Sequence, residues 1–219
     1  MIEERTIAVT SHGRYLVAAP ALRASAHAPV LVGFHGYAED AAVQLERLQT
    51  IPGADRWVIV SVQALHRFYR GRSQDVVASW MTRQDRELMM VDNLAYVSAV
   101  VEAVSREWQV STTLVFAGFS QGVATAFRAA GRGSHHARGV LALGGDVPPE
   151  LDRDALARAS SVLIGRGEHD EWYTPATFAA DEVRLRSAGV DVTTHLFDGG
   201  HEWLPDFSQA AGRFLSRLV

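Results

Sequence analysis

Short apolar runs rich in β-branched and aromatic residues alternate along this chain with longer stretches in which apolar residues recur every three or four positions. The first pattern predicts buried strands and the second amphipathic helices. Pro29 to Phe34 and Trp57 to Val62 are continuous apolar runs, as strands covered on both faces require. Between them Asp40 is placed to cap a helix that runs to about Gln49 and stops at Pro52-Gly53. Leu88, Val91, Leu94, Ala95, Val101, Val104 and Trp108 then mark a long helix. A strand ending at Phe119 follows, with a helix behind it carrying Val123, Ala124, Phe127 and Ala130 as far as Gly131. Gly139 to Gly145 and Ser161 to Gly165 predict two more strands, separated by a segment too short for a large lid. Thr174-Pro175 opens the next helix as cap and first-turn proline, with Phe178, Ala179 and Val183 along it. Val190 to Phe197 alternates as a strand, and Phe207, Ala210, Ala211, Phe214, Leu215 and Leu218 mark a final helix.

Two regions depart from this rhythm. Near the start, Ile7 to Val9 and Tyr15 to Ala18 predict short strands joined through Ser11-His12-Gly13 as an edge hairpin, followed after Pro20 by an alanine-rich connection. From Gln63 to about Gln84 no period holds, and His66, Arg67, Phe68, Tyr69, Arg70, Gly71, Arg72, Trp80 and Arg83 crowd together. A loop of that length is usually functional or mobile. The alternation elsewhere predicts an α/β fold: a mostly parallel central sheet, right-handed crossovers and helices on both faces, in one domain over residues 1–219.

Composition narrows the chemistry. The 219 residues are 47% hydrophobic and 21% charged, with a net charge of −4 and no basic block. That balance gives no face for nucleic acid and no polybasic membrane anchor. No uncharged apolar segment reads as long enough to span a bilayer, and the start of the chain is unlike a signal peptide, so a cytoplasmic protein is expected. There are no cysteines, which removes disulfides, thiolate metal sites and a cysteine nucleophile together.

The stretch from Leu114 to Val123 organises the rest. A strand meets Gly118, then Ser120 between two flexible positions, then Gly122 and a helix. This is the context in which G-x-S-x-G presents a serine hydroxyl on a sharp elbow, with the N–H of Gln121 facing the space before it. A serine needs a base, and the base needs an acceptor to fix its tautomer. Strand ends in a parallel sheet converge on one edge. There the loop after Ile164 offers Arg166, Glu168, His169, Asp170 and Glu171, and the loop after Phe197 offers Asp198 and His201. Asp146, after the preceding strand, competes for the acid's place. His35 reads as a structural hydrogen-bonder, His135-His136 as an exposed turn, and the Glu168 to Glu171 cluster as solvated charge.

Gly118-Phe119-Ser120-Gln121-Gly122 resembles the G-F-S-Q-G elbow of the phospholipase/carboxylesterase family of α/β-hydrolases. His35-Gly36-Tyr37 is similar to that family's H-G-x turn, Gly167-Glu168-His169-Asp170 to its acid loop, Gly200-His201-Glu202 to its histidine loop, and Ser79-Trp80 to a serine-tryptophan pair. The order serine, acid, histidine is that of α/β-hydrolases. The resemblance implies Ser120 as nucleophile, His201 as base, Asp170 as acid, and the N–H groups of Tyr37 and Gln121 as oxyanion hole. It departs at Val123, where many members have glycine, and across Gln63 to Gln84.

Tryptophans beside these loops suggest an aromatic-walled cleft. Trp80, Trp172, Trp203 and Phe119 are its candidate substrate contacts, while Trp57 and Trp108 are assigned to the core. Arg67, Arg70 and Arg72 could draw an anionic substrate. The expected activity is hydrolysis of a small or aromatic carboxylic ester through an acyl-enzyme, with no cofactor or metal. Thioester hydrolysis and ligand binding with little turnover are the alternatives, and a homodimer is compatible with either.

Overall fold

The computed structural model describes residues 1–20 and 27–219. The alanine-rich connection expected after Pro20 falls largely on residues 21–26, outside the described residues. Among the described residues the strands are β1 (Arg14–Ala18), β2 (Ala28–Phe34), β3 (Val58–Gln63), β4 (His66–Tyr69), β5 (Val76–Ser79), β6 (Val110–Phe119), β7 (Gly139–Leu143), β8 (Ser161–Gly167) and β9 (Asp191–Phe197). The helices are α1 (Ala41–Gln49), α2 (Arg86–Glu107), α3 (Gln121–Arg132), α4 (Arg153–Ala157), α5 (Pro175–Ser187) and α6 (Pro205–Ser216).

Seven strands form one sheet in the order β1-β3-β2-β6-β7-β8-β9. All neighbours are parallel except β1, which runs antiparallel to β3. The mostly parallel sheet expected from the alternation is therefore present. Because side chains alternate across a strand, β2 sends Val30, Val32 and Phe34 into one buried layer and Leu31 into the other. The first layer also holds Val97, Val100 and Val104 of α2, Val123 and Phe127 of α3, and Phe178 and Leu185 of α5. The second holds Leu48 of α1 and Phe207 and Phe214 of α6.

Caps fall where the sequence puts them. Asp40 Oδ1 accepts the Val43 N–H at 2.9 Å, and Thr174 Oγ1 accepts the Thr177 N–H at 3.2 Å with Pro175 in the first turn. Val123 is fully buried, so its departure from glycine fills core space.

Three expectations are corrected. Ile7 to Val9 form no strand and stay exposed, so the edge is β1 alone, held from outside where Tyr96 donates to the Arg14 carbonyl at 2.6 Å. The stretch from Gln63 to Gln84 is not structureless: β4 and β5 pair as an antiparallel hairpin turning through Gly71 at φ 53°. Its four-residue strands are too short for a period to register. The segment between β7 and β8, read as too short for a large lid, holds the five-residue α4, capped by Asp152, and that reading stands. By length and composition α2 is long and apolar enough to cross a membrane, but Asp92 and Glu102 lie within it, so it is not an uncharged segment. In the fold Asn93, Val97, Val100, Val101 and Val104 are its buried face. Leu88 and Val91, counted toward that face, are exposed.

Candidate active site

The edge at the carboxyl ends of β2, β6, β8 and β9 gathers the candidate residues. Strand β6 ends at Phe119 and α3 begins at Gln121, so Ser120 alone makes the turn, at φ 52° and ψ −120°. A non-glycine residue in such a conformation costs about 1–3 kcal/mol. The turn is feasible because its flanks carry no side chains. A Cβ on Gly118 would lie 2.5 Å from the Gly122 carbonyl oxygen, and one on Gly122 would lie 2.1 Å from the Phe34 carbonyl oxygen. The Ser120 N–H donates to the Leu143 carbonyl at 2.9 Å, which ties the elbow to β7.

The two loops that follow β8 and β9 lie against each other. The N–H groups of Glu168 and His169 donate to the carbonyls of Phe197 and Gly199, both at 2.9 Å. That contact brings together residues far apart in sequence: His201 Nδ1 is 2.8 Å from Asp170 Oδ2, and His201 Nε2 is 2.8 Å from Ser120 Oγ. Oδ2 of an ionised carboxylate only accepts, so Nδ1 carries the proton and Nε2 of the neutral ring accepts from the serine hydroxyl. The Asp170 carboxylate is buried, and its other oxygen is fixed by the N–H groups of Trp172 at 2.8 Å and Tyr173 at 3.0 Å. Arg166, also buried, donates to the carbonyls of Tyr173, Glu168 and Asp170 and so sets the path of the acid loop. Of the two aspartates that compete for the base, Asp170 contacts His201, while Asp146 lines the neighbouring cleft.

The turn after β2 is braced on all sides. Glu39 Oε2 accepts the Gly36 N–H at 2.7 Å, and both Glu39 oxygens accept from Arg47, at 2.6 and 2.7 Å. Ala38, at φ 57°, and Glu39 exchange backbone hydrogen bonds with Ala78 of β5. The buried His35 ring donates from Nδ1 to the Gly36 carbonyl at 2.7 Å and accepts the Ala64 N–H on Nε2 at 3.1 Å. Burial lowers its pKa below the usual imidazole value, against the pull of the Gly36 carbonyl and the charges of Glu39 and Asp40. His35 is thus a neutral structural side chain. The β4–β5 hairpin fastens this turn, and Arg70 joins in by donating to the Ala38 carbonyl at 3.0 Å.

Sequence reasoning missed the side chains of Gln121, Glu39 and Arg47 as parts of this edge, while Arg166 was among its candidates. The Gln121 side chain reaches Ser79, Trp80 and Met81, 40 to 42 positions away, and Glu39 and Arg47 meet across the turn that leads into α1, contacts that no period along the chain marks.

A cleft of about 620 Å³ opens beside Ser120 and His201, within the range of small-molecule sites. Of the four aromatic side chains expected to wall it, only Trp172 does, standing 83% exposed at its rim. Trp80 is wholly buried, packs edge-on against Phe34 with centroids 5.4 Å apart, and donates from Nε1 to the His35 carbonyl at 2.9 Å. Trp203 turns toward α6, edge-on to Phe207 at 5.0 Å and donating to Ser208 Oγ at 3.0 Å. Phe119 is buried behind the catalytic-edge imidazole, 5.1 Å from the His201 ring, with the Arg47 guanidinium 4.2 Å from its own centroid. Large flat side chains bury more apolar area in the core than at a rim, which local sequence does not distinguish. The arginines differ too. Arg67 and Arg70 are engaged on the hairpin with the carbonyls of His12 and Ala38, and Arg83, Arg86 and Arg128 face the cleft instead.

The profile of one family, described as Phospholipase/Carboxylesterase, matches residues 21–219. No curated protein matches the chain. Among solved structures, the carboxylesterase of Bacillus cereus superposes with a TM-score of 0.74 at 17% identity, covering 94% of this chain and 95% of that one. Acyl-protein thioesterase 2 of Zea mays superposes with a TM-score of 0.72 at 20% identity, covering 94% and 99%. At such identities the likeness concerns the fold.

Proposed function

Because this chain belongs to the phospholipase/carboxylesterase family of α/β-hydrolases, we propose that it is a serine carboxylesterase acting on small or aromatic esters. The observation that carries the reading is the continuous hydrogen-bond relay from Ser120 Oγ through His201 to Asp170, at 2.8 Å in both links.

In this reading His201 Nε2 takes the hydroxyl proton as Ser120 Oγ attacks the ester carbonyl carbon. The negative charge that develops on the carbonyl oxygen is held by the backbone N–H groups of Tyr37 and Gln121, and the ionised Asp170 stabilises the imidazolium. The imidazolium then gives its proton to the departing alcohol oxygen, leaving Ser120 acylated. Water enters, loses a proton to His201 and attacks the acyl carbon, and the proton returns to Ser120 Oγ as the carboxylic acid leaves. Each proton transfer is assigned to His201, so the sequence calls on no cofactor.

The test is labelling by a fluorophosphonate, mapped by peptide sequencing. One labelled serine, Ser120, is expected, and Ser120→Ala should lose both labelling and turnover with its circular dichroism unchanged. Near-normal turnover by that variant would end the assignment. The same parts serve a thioester, so paired oxygen-ester and thioester substrates with one acyl group decide between esterase and thioesterase.

A further inference from the structure

The hydrolase reading leaves the cleft's charge unexplained. Arg83, in the segment after β5, and Arg86, in the first turn of α2, line it together with Arg128 of α3. Among the described residues the one carboxylate on the lining is Asp146, and Glu150, off the lining, meets Arg128. Glu150 is committed to Arg128, whose Nε donates to its Oε1 at 2.6 Å. Burial raises that carboxyl, but the Arg128 hydrogen bond, a hydrogen bond from Glu150's own backbone and the charges of Arg128 and Arg86 together leave its pKa below the usual carboxylate value. The arginine is the more buried partner and lines the cleft, while Glu150 does not. Among the described residues, neither Arg83 nor Arg86 has a hydrogen-bonded or ion-paired partner for its guanidinium. With Arg128 set against Glu150, the other two guanidiniums share the lining with one carboxylate, Asp146, which leaves one positive charge in excess in a concave space that shares its wall with Ser120, Gln121 and His201.

We propose that the ester hydrolysed here carries a carboxylate, seated by Arg83 and Arg86 while its ester group meets Ser120. The inference rests on the hydrolase reading and names its substrate class. A guanidinium presents paired N–H donors that match the two oxygens of a carboxylate, and walls of low dielectric strengthen the attraction. A single excess charge suits a monoanion better than a dianionic phosphate monoester. Asp146, on the same lining, sets the limit: it repels any second negative charge. The half-ester of a short dicarboxylic acid combines the required groups within the volume of the cleft.

The experiment compares such a half-ester with the neutral diester of the same chain length, each rate divided by that ester's hydroxide-catalysed rate to remove intrinsic reactivity. Expected is a kcat/KM for the half-ester roughly tenfold higher, the order of one charge-assisted hydrogen-bonded pair. The ratio should fall toward one in Arg83→Gln/Arg86→Gln and, without any variant, in high salt. Both side chains are exposed, so the double variant should fold, which circular dichroism checks. A ratio at or below one in the wild type, or one that the double substitution leaves intact, overturns the carboxylate proposal while the esterase reading stands. Hydrolysis of neither ester, with no fluorophosphonate label on Ser120, overturns both.

Discussion

The side-chain carbonyl of Gln121 accepts the backbone N–H of Trp80 at 2.9 Å, while its amide nitrogen donates to Ser79 Oγ and the Met81 carbonyl, both at 3.1 Å. The residue that follows the elbow serine therefore clamps the segment after β5, from which Met81, Thr82 and Arg83 line the cleft. Its backbone and its side chain have separable duties. The N–H faces the reacting carbonyl in the proposed mechanism, and the amide holds the cleft wall.

Gln121→Ala keeps the backbone N–H and removes the clamp. The Trp80 N–H then loses its acceptor, at a cost of about 1–3 kcal/mol. Expected are a lower urea midpoint and a higher KM, with a smaller loss in kcat than Ser120→Ala shows. Unchanged stability and KM would mean that the clamp is idle.

Asp170→Asn removes the charge opposite His201 Nδ1 and favours the wrong imidazole tautomer. A loss of about 10³- to 10⁴-fold in kcat is expected. Asp146→Asn, with no bond to the ring, should cost far less. Equal losses in the two variants, measured on a neutral ester, would contradict the relay drawn from the structure.

Gly122→Ala would drive a methyl group into the Phe34 carbonyl oxygen and towards the His35 carbonyl, both of them backbone atoms that cannot swing away. Destabilisation of about 3 kcal/mol or more is expected from such overpacking, read from urea unfolding or from loss of soluble protein.

His35 links stability to acidity. Its folded pKa is lowered, so as the pH falls through about 6.5 the unfolded chain takes up the proton first and the folded state is penalised. The contribution is complete above that value and is lost as the pH drops through the lower folded value. Nitrogen NMR of the ring should show a neutral Nδ1–H tautomer at pH values where an exposed imidazole is already half protonated. Titration of His35 at or above the ordinary value would refute this.

What the sequence determined by itself is whatever short-range geometry expresses: the alternation that makes a parallel sheet, the Asp40 and Thr174 caps, and an elbow at Ser120 whose glycines are needed within two residues of it. Those features depend on neighbours along the chain, and their periods and spacings are visible there. Tertiary structure decided which distant groups meet. Asp170 and His201 are 31 positions apart and join because β8 and β9 are adjacent, while Gln121 and Trp80 are separated by 41 and join because the β4–β5 hairpin folds back over the turn after β2. Trp80 shows the difference most plainly. It lies in a stretch with no period and reads as a rim aromatic, yet the fold buries it against Phe34, because burial is set by what packs across from a side chain and not by the residues beside it.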